Sequence, residues 1–262
     1  MKPDSDAIVA TNSLCVRVPG RNLVEGLDLE FFPGEFIAVL GRNGTGKTLT
    51  TLTLAGLREP AAGSVALLGD DIRSLPRSAI AKTLALLPQS VDDIFPATVI
   101  DTALIGRHPH IPRFQWESAA DREIAVAALA KMHIADLAER DVLTLSGGER
   151  RRLGVAQILA QAPDVYLLDE PTNHLDPQHQ LDVLQVFRER ADQNACVIAS
   201  LHDVNLAARF ADRCLLLYGD GRWDYGPTED ILDEDRLATL YGTPIESVQW
   251  RSRKLFVAAS GT

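Results

Sequence analysis

The stretch FIAVLGRNGTGKTLTTLTLAGL, residues 36–57, decides the fold of this protein. Its first five residues are all apolar, which is typical of a strand that is buried on both faces. Residues 41–48, GRNGTGKT, match the phosphate-binding loop pattern G-x-x-x-x-G-K-[ST]. The segment TLTLAGL after the loop is predicted to be helical, so the loop stands between a strand and a helix, as this pattern requires. We therefore predict a site for the phosphates of a nucleotide at this turn.

The residues of this loop suit phosphate oxygens. Glycines leave backbone N–H groups free to converge on an anion, and the helix that follows adds the partial positive charge of its N-terminus. The Lys47 ammonium can reach the β- and γ-phosphates, and the Thr48 hydroxyl can bind Mg²⁺. The residues predicted to contact the nucleotide here are Gly41, Arg42, Asn43, Gly44, Thr45, Gly46, Lys47, Thr48 and Leu49.

A second stretch, VYLLDE at residues 165–170, supplies acidic groups. Its apolar residues predict a strand that delivers Asp169 and Glu170 at its carboxyl end, where ligands bind in open α/β sheets. Asp169 is predicted to hold Mg²⁺, directly or through water. Glu170 is then predicted to face the γ-phosphate, either as the general base or as the group that orients the attacking water.

A third stretch, LSGGE at residues 145–149, begins a helix whose apolar pattern ends at Pro163. Ser146 and Glu149 stand three residues apart, which is the pattern of a capping box. Capping does not explain Gly147 and Gly148, each of which costs about 1 kcal/mol relative to alanine inside a helix. The two glycines leave backbone N–H groups uncovered at the positive end of the helix, which predicts that a phosphate approaches it.

The patterns around these stretches predict an α/β fold. In the first thirty-odd residues short apolar runs alternate with turn signals, which indicates antiparallel strands. Further strands are predicted in GSVALLGDDI, LALLPQ, DVYLLDE and ACVIAS, and those in the second half alternate with helices, so the main sheet is expected to be mostly parallel. Between about residues 91 and 145 the segments VIDTALIG, ESAADREIAVAALAKMHI and LAERDVL are helical in pattern. We predict a helical lobe there, inserted into a single domain that spans residues 1–262.

The C-terminal part reads as smaller elements. RCLLLYGDGRWDYG predicts a hairpin that turns at residues 219–221. TEDILDEDRLATLYG is helical in pattern, and IESVQW and KLFVAA are predicted to pair as strands.

Composition narrows the class of protein. The chain has 262 residues, of which 46% are hydrophobic and 24% charged, and its net charge is −10, which argues against a nucleic-acid partner. No window approaches the roughly 20 apolar residues of a membrane span, and the N-terminus has no long apolar signal core. Cys15, Cys196 and Cys214 are odd in number and widely spaced, so we expect buried thiols in a reducing cytoplasm rather than disulfides.

In these motifs and in their order, the chain resembles ATP-binding-cassette (ABC) ATPases over nearly its whole length. LSGGE stands where that family has its signature LSGGQ, with Glu149 as a tolerated departure. Gln89 matches the family's Q-loop glutamine, residues 173–176 (NHLD) match its D-loop, and His202 matches the switch histidine that contacts the γ-phosphate. On its own, NHLD followed by Pro177 also predicts a helix that Asp176 caps.

The resemblance implies a P-loop NTPase of the ABC-ATPase fold, with a mainly parallel core sheet, an N-terminal antiparallel β subdomain and an inserted helical subdomain. It implies ATP and Mg²⁺ as cofactors, with catalytic roles for Glu170, His202, Lys47 and Gln89. The implied metal ligands are Thr48, Gln89 and Asp169. The implied contacts to the ATP of a second copy, paired head to tail, are Ser146, Gly147, Gly148 and Glu149.

Family members usually stack adenine on an aromatic residue upstream of the phosphate loop. By spacing, that place falls near Val18, and no aromatic stands there. Either Val18 packs on the adenine ring, or the base is held otherwise.

The segment ATVIDTALIGRHPH, the variant LSGGER and DEPTNHLD together look like ATPases of type II importers for iron–siderophores, haem and cobalamin. GRHPH with the later QWE favours a corrinoid. The resemblance implies two permease subunits in the membrane, a periplasmic binding protein, and a peripheral location on the cytoplasmic face of the inner membrane.

Two other functions stay open from the sequence alone. One is a soluble ABC ATPase outside transport, for example in iron–sulfur cluster assembly. The other is a small-molecule kinase with a phosphate-binding loop, although such an enzyme has no use for LSGGE. His108 and His110, two residues apart, are a weak metal pattern, and we expect them to make surface contacts.

Overall fold

The computed structural model describes residues 6–90, 96–251 and 253–259. The strands are β1 (Val9–Val18), β2 (Arg21–Leu27), β3 (Glu30–Phe31), β4 (Phe36–Leu40), β5 (Ala62–Leu67), β6 (Asp70–Asp71), β7 (Leu84–Leu87), β8 (Val165–Asp169), β9 (Cys196–Ser200), β10 (Arg213–Leu217), β11 (Trp223–Pro227), β12 (Ile245–Trp250) and β13 (Arg253–Ala258). The helices are α1 (Lys47–Leu54), α2 (Arg77–Thr83), α3 (Val99–Leu104), α4 (Ala119–Lys131), α5 (Gly147–Gln161), α6 (Pro177–Asp192), α7 (Val204–Phe210), α8 (Thr228–Ile231) and α9 (Glu234–Tyr241).

The main sheet is mostly parallel, as predicted. In the described part of the chain it has six strands in the order β11-β10-β4-β9-β8-β7, and only the β10–β11 pair is antiparallel. The carboxyl ends of β4, β9 and β8 therefore lie side by side at one edge. The loop after β4 is the predicted phosphate loop, and β8 ends at Asp169. The topology thus brings the two predicted halves of the site to the same edge.

A second, antiparallel sheet forms from the N-terminal strands, which confirms that prediction. Within the described residues its order is β2-β1-β5-β6, with β3 also paired to β1. The apolar run LDLEFF, residues 27–32, does not form one strand, because β2 ends at Leu27 and β3 begins at Glu30. The break follows from β2 and β3 pairing with opposite ends of β1.

The main sheet is covered on both faces, which explains its continuous apolar strands. In β4, Phe36, Ala38 and Leu40 point into the core that the helices cover. Ile37 and Val39 point into the core that is shared with the antiparallel sheet. Both faces of this strand are therefore removed from solvent, and the burial of apolar area on two sides stabilises the strand.

The segments between β7 and β8 are largely helical. α3 and α4 pack against α5 around buried residues that include Ile100, Leu129 and Leu153. α4 begins with a capping box in which Ser118 accepts from the backbone N–H of Asp121 and the Asp121 carboxylate accepts in return. The predicted start of the helical lobe at residue 91 lies outside the described residues.

The prediction of a helix in LAERDVL, residues 137–143, was wrong. Residues 135–137 and 142–144 form separate single turns of 3-10 helix. The carbonyls of Ala138 and Arg140 accept hydrogen bonds from the backbone N–H groups of Ile100 and Val99 at the start of α3. These carbonyls serve a neighbouring helix end, so they do not continue a helix of their own.

The C-terminal elements follow the prediction. β10 and β11 form the hairpin around residues 219–221, and β12 pairs with β13. The helical segment between β11 and β12 divides into α8 and α9. Cys15, Cys196 and Cys214 are buried free thiols. Across the described ranges, no helix combines the length and the apolar character needed to cross a bilayer.

Candidate nucleotide site

Two glycines shape the phosphate loop. Gly46 caps the N-terminus of α1 with a φ of +106°, a conformation that residues with a side chain rarely adopt. Gly41 lies so close to β10 that an added Cβ would stand 2.6 Å from the carbonyl oxygen of Leu217. The loop is therefore held tightly against the sheet, and its N–H groups gather at the start of α1.

Lys47 is the buried cation of this loop, with 5% of its surface exposed. Its ammonium donates to the carbonyl oxygens of Gly41, at 2.8 Å, and Arg42, at 3.3 Å. Burial lowers the pKa of Lys47, while the carboxylates of Glu170 and Asp169 act in the opposite direction. The ammonium thus lies inside the curve of the loop, where it can exchange carbonyl oxygens for phosphate oxygens.

A cavity of about 310 Å³ joins the loop to residues from other parts of the chain. It is lined by Val18, Leu23, Asn43, Gly44, Gly46, Lys47, Thr48, Leu49, Gln89 and Glu170. A larger cavity, of about 600 Å³, lies between α7 and β13 and contains none of the predicted site residues. The smaller cavity is the candidate site because it contains the phosphate loop and the acidic group together.

The Glu170 carboxylate is held from three directions. Its Oε2 accepts a hydrogen bond from Gln89 Nε2 at 2.9 Å and another from Asn173 Nδ2. His202 Nε2 lies 2.5 Å from its Oε1. The residue is 6% exposed and has a left-handed backbone, with φ of 51°. Such backbone strain costs about 1–3 kcal/mol and is found mainly at functional sites.

Asp169 stands beside Glu170 at the end of β8. Its Oδ1 accepts from the Ser200 hydroxyl at 2.7 Å, and the same hydroxyl accepts from the backbone N–H of Glu170 at 2.9 Å. Ser200 at the end of the neighbouring strand therefore fixes both acidic residues. This explains why the carboxylate of Asp169 keeps its orientation although it is buried.

The donor set fits Mg²⁺. Thr48, Gln89 and Asp169 offer a hydroxyl, an amide and a carboxylate oxygen, the hard ligands that this ion takes. Among the described residues there is no cluster of three or more His, Cys, Asp or Glu that could hold a metal. In its usual binding mode a magnesium ion takes one or two protein carboxylates and completes its shell with nucleotide phosphates and water.

The helix α5 begins as the sequence predicts. The Ser146 hydroxyl accepts from the backbone N–H of Glu149 at 3.3 Å, and the Glu149 carboxylate accepts from the backbone N–H of Ser146 at 2.7 Å. Hydrogen bonds to the Glu149 carboxylate from the backbone N–H and the side chain of Ser146 lower the pKa of Glu149. The prediction of a capping box is confirmed.

The glycines of this helix start have room around them. A Cβ added to Gly147 would stand 3.9 Å from the Cβ of His174, and one added to Gly148 would stand 3.4 Å from the His174 carbonyl. Gly147 is also exposed. Contacts within the chain therefore do not require glycine at residue 147.

The family described as ABC transporter matches residues 24–173, which is more than half of the chain. The chain belongs to the ABC transporter family.

Several family members of named function are similar over most of the chain. A hemin import ATP-binding protein of Gloeobacter violaceus is 41% identical over 234 residues, which cover 87% of this chain and 84% of that protein. A hemin import ATP-binding protein of Pseudomonas aeruginosa is 39% identical over 245 residues, or 91% and 94% of the two chains. A cobalamin import ATP-binding protein of Halobacterium salinarum is 38% identical over 87% of this chain. That match spans 57% of the Halobacterium protein, so the matched part of this chain covers a little over half the length of that relative.

Solved structures agree on the ABC fold. A chain of an ABC transporter of metal-chelate type, in an inward-facing conformation, superposes with a TM-score of 0.84 at 27% identity, and 98% of each chain is covered. An ATP-binding cassette of another ABC transporter in its ADP conformation gives a TM-score of 0.77 at 18% identity, covering 91% of this chain and 100% of that one. The predicted ABC-ATPase fold is therefore confirmed.

The structure brings some of the predicted ABC residues together and leaves others apart. Val18 lines the same cavity as the phosphate loop, and His202 joins it through Glu170. Gly147 instead lines a second cavity of about 210 Å³ with His174 and Arg151, and Gln89 lines both cavities.

Three residues of the site were missed by sequence reasoning. They are Ser200, Asn173 as a partner of Glu170, and Arg151. Ser200 could have been found, because it is a polar residue at the end of the otherwise apolar strand ACVIAS, next to the strand of Asp169. Arg151 lies in the run ERRR, and a run of charges usually lies in solvent, so nothing in the sequence singles it out.

Proposed function

We propose that this chain is the ATP-binding and ATP-hydrolysing subunit of an importer for a large chelate, namely a cobalamin-type corrinoid, haem or an iron–siderophore. One observation carries the ATPase part: the Glu170 carboxylate lies in the same cavity as Lys47 and Thr48. The importer part rests on the relatives named for hemin and cobalamin import and on a third, from Dickeya dadantii, named for achromobactin transport.

ATP would bind with its phosphates on the loop. The N–H groups at the start of α1 and the Lys47 ammonium would hold the β- and γ-phosphates. Thr48, Asp169 and Gln89 would hold Mg²⁺, which neutralises charge on the phosphate oxygens when bound. Val18 lines the cavity and would pack on the adenine in place of an aromatic ring.

Hydrolysis would use the acidic group that the cavity already holds. Glu170 would accept the proton of the attacking water, or orient that water, as the water oxygen bonds to the γ-phosphorus and the bond from that phosphorus to ADP breaks. His202 contacts one oxygen of this carboxylate and Gln89 contacts the other, so both side chains would help to hold the carboxylate in position. We propose that His202 turns to the γ-phosphate when ATP is bound.

The second half of the site would come from another copy of the chain. The N-terminus of α5 presents Ser146 and Gly147 to solvent, with Gly148 and Glu149 partly exposed behind them. Two copies paired head to tail would place this helix end on the γ-phosphate held by the partner. Only the closed pair contacts ATP from both sides, so ATP would favour closure and hydrolysis would remove that bias.

The pair of ATPase subunits would act on two permease subunits in the membrane, which in turn receive substrate from a periplasmic binding protein. The chain would then lie on the cytoplasmic face of the inner membrane. The transported chelate would not contact this subunit, so its identity has to be tested by transport.

Uptake measurements test the proposal. In the source organism, removal of this coding sequence should abolish uptake of one chelate class among labelled cobalamin, haem and ferric siderophore. The wild-type chain should restore it, and Lys47→Ala should not. Unchanged uptake of all three, with only soluble proteins bound to the tagged chain, would instead support a soluble ABC ATPase.

A further inference from the structure

Arg151 lies just over one turn into α5, and its side chain turns inward from the helix. The residue is 6% exposed. A guanidinium has five N–H groups, and five carbonyl oxygens surround this one. Nε donates to Pro171 at 3.2 Å, Nη1 donates to Pro88 at 2.5 Å and Gln89 at 3.3 Å, and Nη2 donates to Asp169 at 2.6 Å and Glu170 at 2.7 Å.

These carbonyls belong to two separate segments. Residues 88–89 follow β7, and residues 169–171 lie at the end of β8, which is the neighbouring strand. The guanidinium is planar and rigid, so it holds the two segments at a fixed separation. Across that separation Gln89 Nε2 reaches Glu170 Oε2 at 2.9 Å.

Burial of the Arg151 guanidinium costs free energy of desolvation, which its hydrogen bonds have to offset. Burial lowers the pKa of Arg151 to about 10, while the charges of Asp169 and Glu170 act in the opposite direction. The hydrogen bonds that hold it go to neutral carbonyls, and a shorter side chain would lose these five bonds.

We propose that Arg151 is a positioning residue for hydrolysis. It sets the separation between Gln89 and Glu170, and it ties that separation to α5, whose N-terminus carries Ser146 and Gly147. A shift of α5 is thereby transmitted to the Glu170 carboxylate. This inference rests on the proposed ATPase function, and it assigns Arg151 an effect on turnover rather than on ATP binding.

The experiment uses the purified full chain and compares Arg151→Gln with Arg151→Lys. Turnover should fall about ten- to hundredfold in Arg151→Gln, the scale of a small misplacement of catalytic groups, while KM for MgATP stays within about threefold. Arg151→Lys keeps a cation and should recover part of the turnover. If Arg151→Gln does not fold, turnover and KM of Arg151→Lys are compared with those of the wild type.

A double-mutant cycle with Gln89→Ala separates positioning from general stability. If Arg151 acts through Gln89, the loss caused by Arg151→Gln should shrink to about threefold or less when Gln89 is already alanine. If the losses simply multiply, or if KM rises while kcat is unchanged, the proposal is wrong.

Arg188→Gln is the matched control. Arg188 is also largely buried, and it donates to the carbonyls of Phe210 and Gly34 and to Asp212, away from the cavity. It should lower the melting temperature without changing kcat below the transition. A matching loss of kcat in Arg188→Gln would show that the Arg151 effect is only structural. If the wild type hydrolyses ATP and the cycle is additive, the proposed function stands and only the role of Arg151 fails.

Discussion

Glu170 is the residue on which the side chains of the candidate site converge. Gln89, Asn173 and His202 contact its carboxylate, and Ser200 holds its backbone N–H. These partners come from three segments of the chain, which lie at or just after the ends of β7, β8 and β9. The position of the Glu170 carboxylate therefore depends on how these segments are packed against one another.

Glu170→Gln should lower the turnover of ATP by about 10²–10⁴, the range for loss of a general base. The amide is the same size and still fits among Gln89, Asn173 and His202, so ATP binding should survive. Phosphate release and equilibrium nucleotide binding measure the two quantities. Hydrolysis at a near-normal rate would remove Glu170 from its assigned role.

Val18 offers a test of how adenine is held. Val18→Tyr places an aromatic ring in the cavity, and stacking of a base on an aromatic is worth about 1–3 kcal/mol. The dissociation constant for ATP should therefore fall by about fivefold or more. Val18→Ala is the control and should weaken binding only slightly. No gain with tyrosine would show that the base lies elsewhere.

The phosphate loop and the strand before Glu170 were predictable from sequence because each is a continuous local pattern. The roles assigned to the individual site residues stay predictions. Asn173 was not found although it lies only three positions from Glu170, because its contact depends on the turn after β8. Ser200 and Arg151 were not found, since each acts through a contact between residues far apart in the chain, such as the 31 positions between Asp169 and Ser200. Local patterns do not record contacts of this kind.

At the scale of elements, the 3-10 helix Ile105–His110 packs closely on α5. Arg107 Nη1 donates to the Ala160 carbonyl at 2.7 Å, and His110 Nε2 lies 2.8 Å from the Gln161 carbonyl oxygen. Gly106 has no space for a side chain, because an added Cβ would overlap the carbonyl oxygen of Gln157. His110 is exposed and also contacts α5, so the surface contact that we expected for it stays a prediction.

Gly106→Ala should destabilise the protein by about 1–3 kcal/mol, the usual cost of overpacking a core contact. Gly226→Ala is the control, because a Cβ there would meet its nearest atom, Ile231 Cδ1, at an ordinary 3.5 Å. Denaturant unfolding of both variants measures the difference. Equal stability of the two would contradict the close packing of this turn on α5.

Elements with strong periodicity or caps were predicted correctly, including α5 with its capping box and α6 with Asp176 at its N-cap. Residues 137–143 were not, because their helical composition was overridden by hydrogen bonds to the start of α3. The extent of the helical lobe, 91–145, stays a prediction.

At the scale of the whole molecule, the two predicted parts of the ATP site lie apart in one chain. The phosphate loop and Glu170 share a cavity, while the N-terminus of α5 faces outward with glycines that the chain itself does not need. A head-to-tail pair of chains would bring the two parts together. This pairing is the central claim of the account.

Sedimentation of Glu170→Gln, which should bind ATP without consuming it, tests that claim most directly. The 28.6 kDa chain should sediment as a monomer with MgADP and as a dimer with saturating MgATP. Gly147→Ala in the same background should still bind ATP and remain a monomer, since its Cβ covers the helix end without disturbing the fold. A chain that stays monomeric with MgATP, or a Gly147→Ala variant that pairs equally well, would contradict the account.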